Sequence, residues 1–292
     1  MTEEKAPNVI ATRISSPLAS PPQSPTLRID AAGVYYRELN ARLRELVSNG
    51  TKRIELHNVY GQRYIGTDLD RPVDIEIFGV PGNDLGAFMD GPRIIVHGNA
   101  QDGCGNTMNS GEIIIHGHAG DITGLSARGG KIFVRDDVGY RAGIHMKEYQ
   151  DKKPVLVIGG TAQDFLGEYM AGGVLIILGL NPSGLSPQEP ALNKVNGRSL
   201  GEGECPLKQV QGKFIGTGMH GGVIYLRGSV KDFQLGKEVG IAELDEKDRL
   251  VLKQLVGEFA QHFSYDAEEI LYHKFAKLFP LYLRPYGRLY AY

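Results

Sequence analysis

The chain has 292 residues, with 32 Lys and Arg against 34 Asp and Glu and a net charge of −2, so no global basic field invites nucleic acid or an anionic membrane. Its two cysteines, Cys104 and Cys205, are too few for a disulfide framework and lack metal-ligand spacing. The longest apolar stretch, Val174 to Leu180, is far short of the roughly 20 residues that cross a bilayer, and Met1-Thr2-Glu3-Glu4-Lys5 opens no signal core; a cytoplasmic protein is expected.

Residues 1–28 carry Ser16-Pro17, Pro21-Pro22 and Ser24-Pro25, the composition of a flexible arm. Over residues 29–50, Val34, Leu39, Leu43, Leu46 and Val47 have helical spacing between Asp30, a candidate N-cap, and Gly50, a candidate stop, which predicts a terminal helix.

A repeat fills residues 51–240. Met89, Met108, Met146, Met170 and Met219 each follow a glycine by three residues, namely Gly86, Gly105, Gly143, Gly167 and Gly216, and Gly124 adds a copy with Ala127 in the methionine slot. The first four of these six glycines are 19 residues apart. A fixed period with one apolar run and one glycine turn per unit marks a stacked array, and glycine suits its corners because φ > 0 costs it nothing. The runs at 75–79, 94–98, 113–117, 132–136, 155–159, 175–179 and 224–228 predict seven rungs of a parallel β-helix.

Alternation along each strand places Ile75, Ile77, Ile94, Val96, Ile113, Ile115, Ile132, Val134, Val155, Val157, Leu175, Ile177, Ile224 and Leu226 inside. Ile95, Ile114, Phe133, Leu156, Ile176 and Tyr225 then project outward and are all apolar. That stripe is covered either by the chain's own terminal helices or excursion, or by a partner protein. His97 and His116 share an outward slot, with His118 nearby; Arg135 and Ile158 follow in that slot, so a surface ladder is favoured over a metal site.

Two departures interrupt the period. Gly143 to Gly167 spans 24 residues around the charged stretch 147–153, and Gly167 to Gly216 spans 49, with the excess over about 181–213. Loops of that length are functional, partner-binding or disordered. In 241–292, Asp245 to Phe263 and Ala267 to Phe279 predict two helices before a Tyr/Arg tail. The acids look singly scattered, no Ser/His/Asp or Cys/His constellation can be assembled from spacing, and Gly103-Cys104-Gly105 and Gly216-Thr217-Gly218 lack the strand-to-helix context of a nucleotide site.

Gly86-Ala87-Phe88-Met89, Gly105-Asn106-Thr107-Met108-Asn109-Ser110-Gly111, Gly167-Glu168-Tyr169-Met170-Ala171-Gly172-Gly173-Val174 and Gly216-Thr217-Gly218-Met219-His220-Gly221-Gly222-Val223 resemble the repeat series of the C-terminal domain of the glutamate synthase large subunit. The likeness includes the lead-in Tyr60-Gly61-Gln62-Arg63-Tyr64-Ile65-Gly66-Thr67 and covers roughly residues 50 to 280. The third subunit of formylmethanofuran dehydrogenase carries a similar repeat. With the seven coils and terminal helices read above, the expected fold is all-β, and the resemblance implies that the parallel β-helix is right-handed, with no catalytic residue and no cofactor or metal of its own. It implies a free-standing spacer in nitrogen metabolism, between amidotransferase-like and flavin/iron–sulfur partner subunits that hold FMN, FAD and the clusters. The competing class is a stand-alone β-helix enzyme acting on carbohydrate, whose outer face would be charged where this one is apolar.

Overall fold

The computed structural model describes residues 25–180, 194–195, 198–199 and 212–282. Most of the predicted N-terminal arm, most of the 181–213 excursion and the tail beyond Tyr282 lie outside the described residues. The strands are β1 (Leu27–Asp30), β2 (Arg53–Tyr60), β3 (Asp74–Val80), β4 (Asp90–Val96), β5 (Ser110–Ile115), β6 (Lys131–Val134), β7 (Val155–Ile158), β8 (Ala171–Ile177), β9 (Lys194–Val195), β10 (Arg198–Ser199), β11 (Gly221–Arg227), β12 (Val239–Ala242) and β13 (Phe275–Pro280). The helices are α1 (Tyr36–Ser48), α2 (Glu246–Phe263) and α3 (Ala267–Tyr272).

Eleven of these strands form one sheet in the order β1-β2-β3-β4-β5-β6-β7-β8-β11-β13-β12. Pairing is parallel as far as β11 and antiparallel for the last two strands. The result is a predominantly β protein, a parallel β-solenoid of about six turns with a few helices. Like stacks on like: Ile75 lies beside Ile94, Ile94 beside Ile113, and Ile113 beside Ile132. Branched aliphatic side chains fit such ladders because their restricted χ1 suits the pleated surface.

Two cores follow from the alternation of side chains. The inner one runs the length of the coil through Ile75, Ile94, Ile113, Ile132, Leu156, Leu175 and Ile224. α1 adds Leu39, Leu43 and Val47 at one end, and Val239 and Leu278 join at the other. The outer core sets Ile114, Phe133, Val157, Ile176 and Tyr225 against Leu252, Leu255, Val256, Phe259 and Phe263 of α2. Each buried side chain of this kind contributes about 1.5–3 kcal/mol. Among the described residues, no helix is long and apolar enough to cross a membrane.

Several expectations need correction. Leu156 pairs with Ile132 and Leu175 and points inward, while Val155 and Val157 point outward. The loop before β7 shifts the phase by one residue, and in a strand such a shift exchanges the two faces. The stripe expected as a partner face is not free surface. Ile114, Phe133, Ile176 and Tyr225 are between 0% and 2% exposed beneath α2, Leu156 is interior, and Ile95 is half-buried against the same cluster. The N-terminal helix starts at Tyr36 rather than near Asp30, because residues 27–30 form β1 on β2. Asp30 instead accepts hydrogen bonds from the Ala32 amide and from Asn58 Nδ2, each at 3.0 Å. The second predicted C-terminal helix ends at Tyr272. Residues 275–280 form β13, which covers the edge of β11.

α2 is also fixed to the sheet by polar contacts. Lys131 Nζ lies 2.6 Å from Glu258 Oε2, and His262 Nε2 lies 3.3 Å from Glu112 Oε1. Tyr225 Oη donates to Asp248 Oδ1 at 2.6 Å, and Lys277 Nζ donates to Asp248 Oδ2 at 2.6 Å. Burial pushes the Asp248 carboxyl up, but the bonds from Lys277 and Tyr225 outweigh it and hold the group below the usual aspartate range. Burial, then the bond to Asp248, pushes the Tyr225 phenol up.

Candidate interaction surface

One corner of the coil is built from alternating left- and right-handed residues. Gly86, Gly105, Gly124, Gly143, Gly167 and Gly216 have φ between 65° and 75°. The residues two before them (Asp84, Gly103, Ile122, Arg141, Phe165, Phe214) and two after (Phe88, Thr107, Ser126, His145, Tyr169, Gly218) are also at positive φ. This alternation turns successive amides to opposite neighbours: the Gly105 amide donates back to the Leu85 carbonyl at 2.8 Å, and the Thr107 amide donates on to Leu125 at 2.7 Å.

The methionines fill the space inside this corner. Met89, Met108, Met146, Met170 and Met219 are all at most 1% exposed, and Ala127 is buried in the same slot. A Cβ added at Gly86 would lie 2.9 Å from Met89 Sδ, and one added at Gly111 would lie 3.1 Å from Met89 Cε. One unbranched side chain thus packs against the glycines of two successive turns, a gap its flexible thioether suits.

The acids, which look scattered in the sequence, stack in space. Asp102 Oδ1 accepts from the Asp121 amide at 2.9 Å, Asp121 Oδ1 from the Tyr140 amide at 2.8 Å, and Asp164 Oδ1 from the Lys213 amide at 2.8 Å. Asn99 and Asp137 do the same for His118 and Thr161 at 2.9 and 2.8 Å. The glycine before each of three capped amides leaves room for the acceptor: a Cβ on Gly120, Gly139 or Gly160 would lie 2.0 to 2.2 Å from the carboxylate oxygen. The available signal was an Asp or Asn followed, one turn later, by a glycine immediately before the capped residue.

On the outside, some of the left-handed positions present aromatic rings. Tyr64, Phe88, Tyr169 and Phe214 have φ of 61°, 59°, 51° and 60° and are 39% to 50% exposed. Phe165 stacks on Phe214 with centroids 5.0 Å apart, Arg141 lies 5.0 Å over Phe165, and His145 stacks on Tyr169 at 5.4 Å. Arg141 Nη1 also reaches Glu168 Oε2 at 3.0 Å. Tyr140, beside Arg141, is 49% exposed. An L-residue in this conformation costs about 1–2 kcal/mol, and a half-exposed ring recovers only part of that cost by burial and stacking. Strained backbone at exposed positions motivates a functional reading of this surface.

The remaining candidates are built into the coil. His97 and His116 belong to a ring stack running His57, Phe78, His97, His116 and Phe263, with centroids 4.5–5.5 Å apart. Burial, then the neighbouring His97, pushes the His116 imidazole down. His118 Nδ1 accepts from the Asp137 amide at 3.2 Å. Burial pushes the Cys104 thiol up to about 12, far from thiolate chemistry at neutral pH. Among the described residues, no group of three or more His, Cys, Asp or Glu is placed to hold a metal.

Residues 47–284 match the GXGXG motif family. The uncharacterized protein MJ1350 of Methanocaldococcus jannaschii is 50% identical over 269 residues, covering 90% of this chain and 95% of that protein. The corner of alternating left-handed residues, with glycine at its centre, lies within the matched region, and the chain belongs to the GXGXG motif family.

Proposed function

We propose that this chain is a non-catalytic assembly subunit of a cytoplasmic, glutamate-synthase-like oxidoreductase complex. In this reading it packs between an amidotransferase-like subunit and a flavin/iron–sulfur subunit that hold the FMN, FAD and clusters, and the complex performs glutamine-dependent glutamate formation. The array is read as seven right-handed rungs on a 19-residue period. Two observations support the reading, the family match and the exposed left-handed aromatic corner; the corner carries it. Aromatic residues and Arg are enriched where protein interfaces bind most strongly, and here they are held in a strained backbone. The stripe under α2 is occupied by the chain itself, so docking is assigned to the corner.

The test is gentle purification of the tagged protein from its own host, with identification of co-purifying chains and a visible spectrum. Flavin- and iron–sulfur-absorbing partners at fixed stoichiometry are expected. A colourless lone chain, or partners of unrelated chemistry, would overturn the reading.

A further inference from the structure

Away from the corner, α2, α3, β12 and β13 enclose a groove of about 710 Å³. A volume between about 300 and 1,000 Å³ is that of a small-molecule site. Leu252 and Phe275, both buried, form part of its wall, with Leu244 and Ile241 beside them. Ile241 is 47% exposed, so the groove leaves apolar surface open to solvent.

The charges around it are unbalanced. Arg249 and Lys253 project from the same face of α2, being one turn apart, and Lys274 approaches from the segment joining α3 to β13; Glu243 is the one carboxylate in the lining. Two other charges of this helix are paired by the chain, Glu258 with Lys131 and Asp248 with Lys277. Among the described residues, Arg249, Lys253 and Lys274 have no ion-pair partner. Three cations facing one carboxylate over an apolar floor match an anion that carries an apolar body.

We propose that this groove binds a small amphipathic organic acid, with its carboxylate among Arg249, Lys253 and Lys274 and its hydrocarbon portion against Ile241, Leu244 and Leu271. The site is independent of the assembly reading, and either can fail alone. Its arrangement explains both features at once. The cations set the charge of the ligand, and the accessible apolar side chains beside them take its hydrocarbon part.

The probe is octanoate, titrated calorimetrically into the full chain, with octanol and acetate as controls. Saturable one-to-one binding of octanoate is expected, with acetate and octanol each weaker by about tenfold or more. The double substitution Arg249→Glu, Lys253→Glu lies on the exposed side of α2 and should keep the melting temperature while lowering octanoate affinity at least about tenfold. Leu252→Ala would disturb the outer core, so Ile241→Ser, at an exposed position, serves as the second variant and should weaken octanoate and leave acetate unchanged. Absence of saturable octanoate binding, equal affinity for octanol, or an unchanged affinity in the folded double variant would each overturn the proposal.

Discussion

At the scale of single residues, position in the turn matters more than residue type. Gly33 and Gly111 both sit at positive φ, 69° and 97°. Nothing lies within 4 Å of a Cβ added at Gly33, whereas one at Gly111 would come 2.1 Å from the Pro92 carbonyl oxygen. Gly33→Ala should therefore cost only the conformational term, about 1–2 kcal/mol. Gly111→Ala adds a backbone collision that no rotamer change relieves, and strain of this sort adds roughly 1–3 kcal/mol or more. Thermal denaturation of the two variants checks this, and equal losses would refute the collision. The same residue-level view explains what could be read from the sequence at the corner. Glycine occupies the central slot in every copy, so that slot was visible. The flanking left-handed slots hold Asp, Ile, Arg, Phe, Thr, Ser, His and Tyr as well as Gly, and no residue-type pattern marks them. The carboxylate ladder was missed for a related reason. Each acid bonds to an amide one turn away rather than to a neighbour in the sequence, so its partner appears only once the turns are stacked.

At the scale of elements, α2 does for the outer sheet face what the coil interior does for the inner one. Ile114 and Ile115 are adjacent and both at most 1% exposed, yet they face different cores. A buried, unpaired carboxylate is strongly destabilising in either place, but the failures should differ. Ile114→Asp should release α2 and leave the coil's amides protected, while Ile115→Asp should open the coil itself. Hydrogen exchange separates these outcomes, and simultaneous loss of protection in both variants would count against two separable cores. The Asp248 contacts add a pH dependence. The folded carboxyl is held below its ordinary value of 3.8, so its contribution is present above that pH and is lost as pH falls through the folded value. Asp248→Asn should then cost about 1–3 kcal/mol near pH 7, and the gap from the unmodified protein should narrow below about pH 4. A gap of constant size from pH 7 to pH 3 would show that the carboxylate charge is not what holds Lys277 and Tyr225. The element-scale errors in the sequence reading have the same origin as this architecture. Val155-Leu156-Val157-Ile158 is apolar throughout, so no alternation fixes its phase; only the register with β6 and β8 does. Residues 275–280 likewise read as helix by periodicity and become strand because β11 has an unpaired edge to cover.

At the scale of the whole molecule, α2 covers the outer sheet face, which leaves the exposed rings at the corner as the candidate docking surface. Replacing Phe214 with glycine tests that view because the stability terms partly offset one another. Removing the left-handed L-residue relieves about 1–2 kcal/mol. Losing the half-buried ring costs about 0.8–1.5 kcal/mol, and losing its stack on Phe165, 5.0 Å away, about 0.5–1.5 kcal/mol more. The added freedom of glycine in the unfolded chain costs about 0.4–1 kcal/mol more. The isolated variant should therefore lose about 1–2 kcal/mol and stay folded. If the corner is a docking surface, the same change removes an exposed ring from it and should lower recovery of partner chains in the co-purification, where an aromatic anchor is worth about 2 kcal/mol or more. A loss well above this in the isolated variant would show that Phe214 serves the fold. A variant that loses no more than this and still recovers its partners in full would place the docking surface elsewhere on the coil.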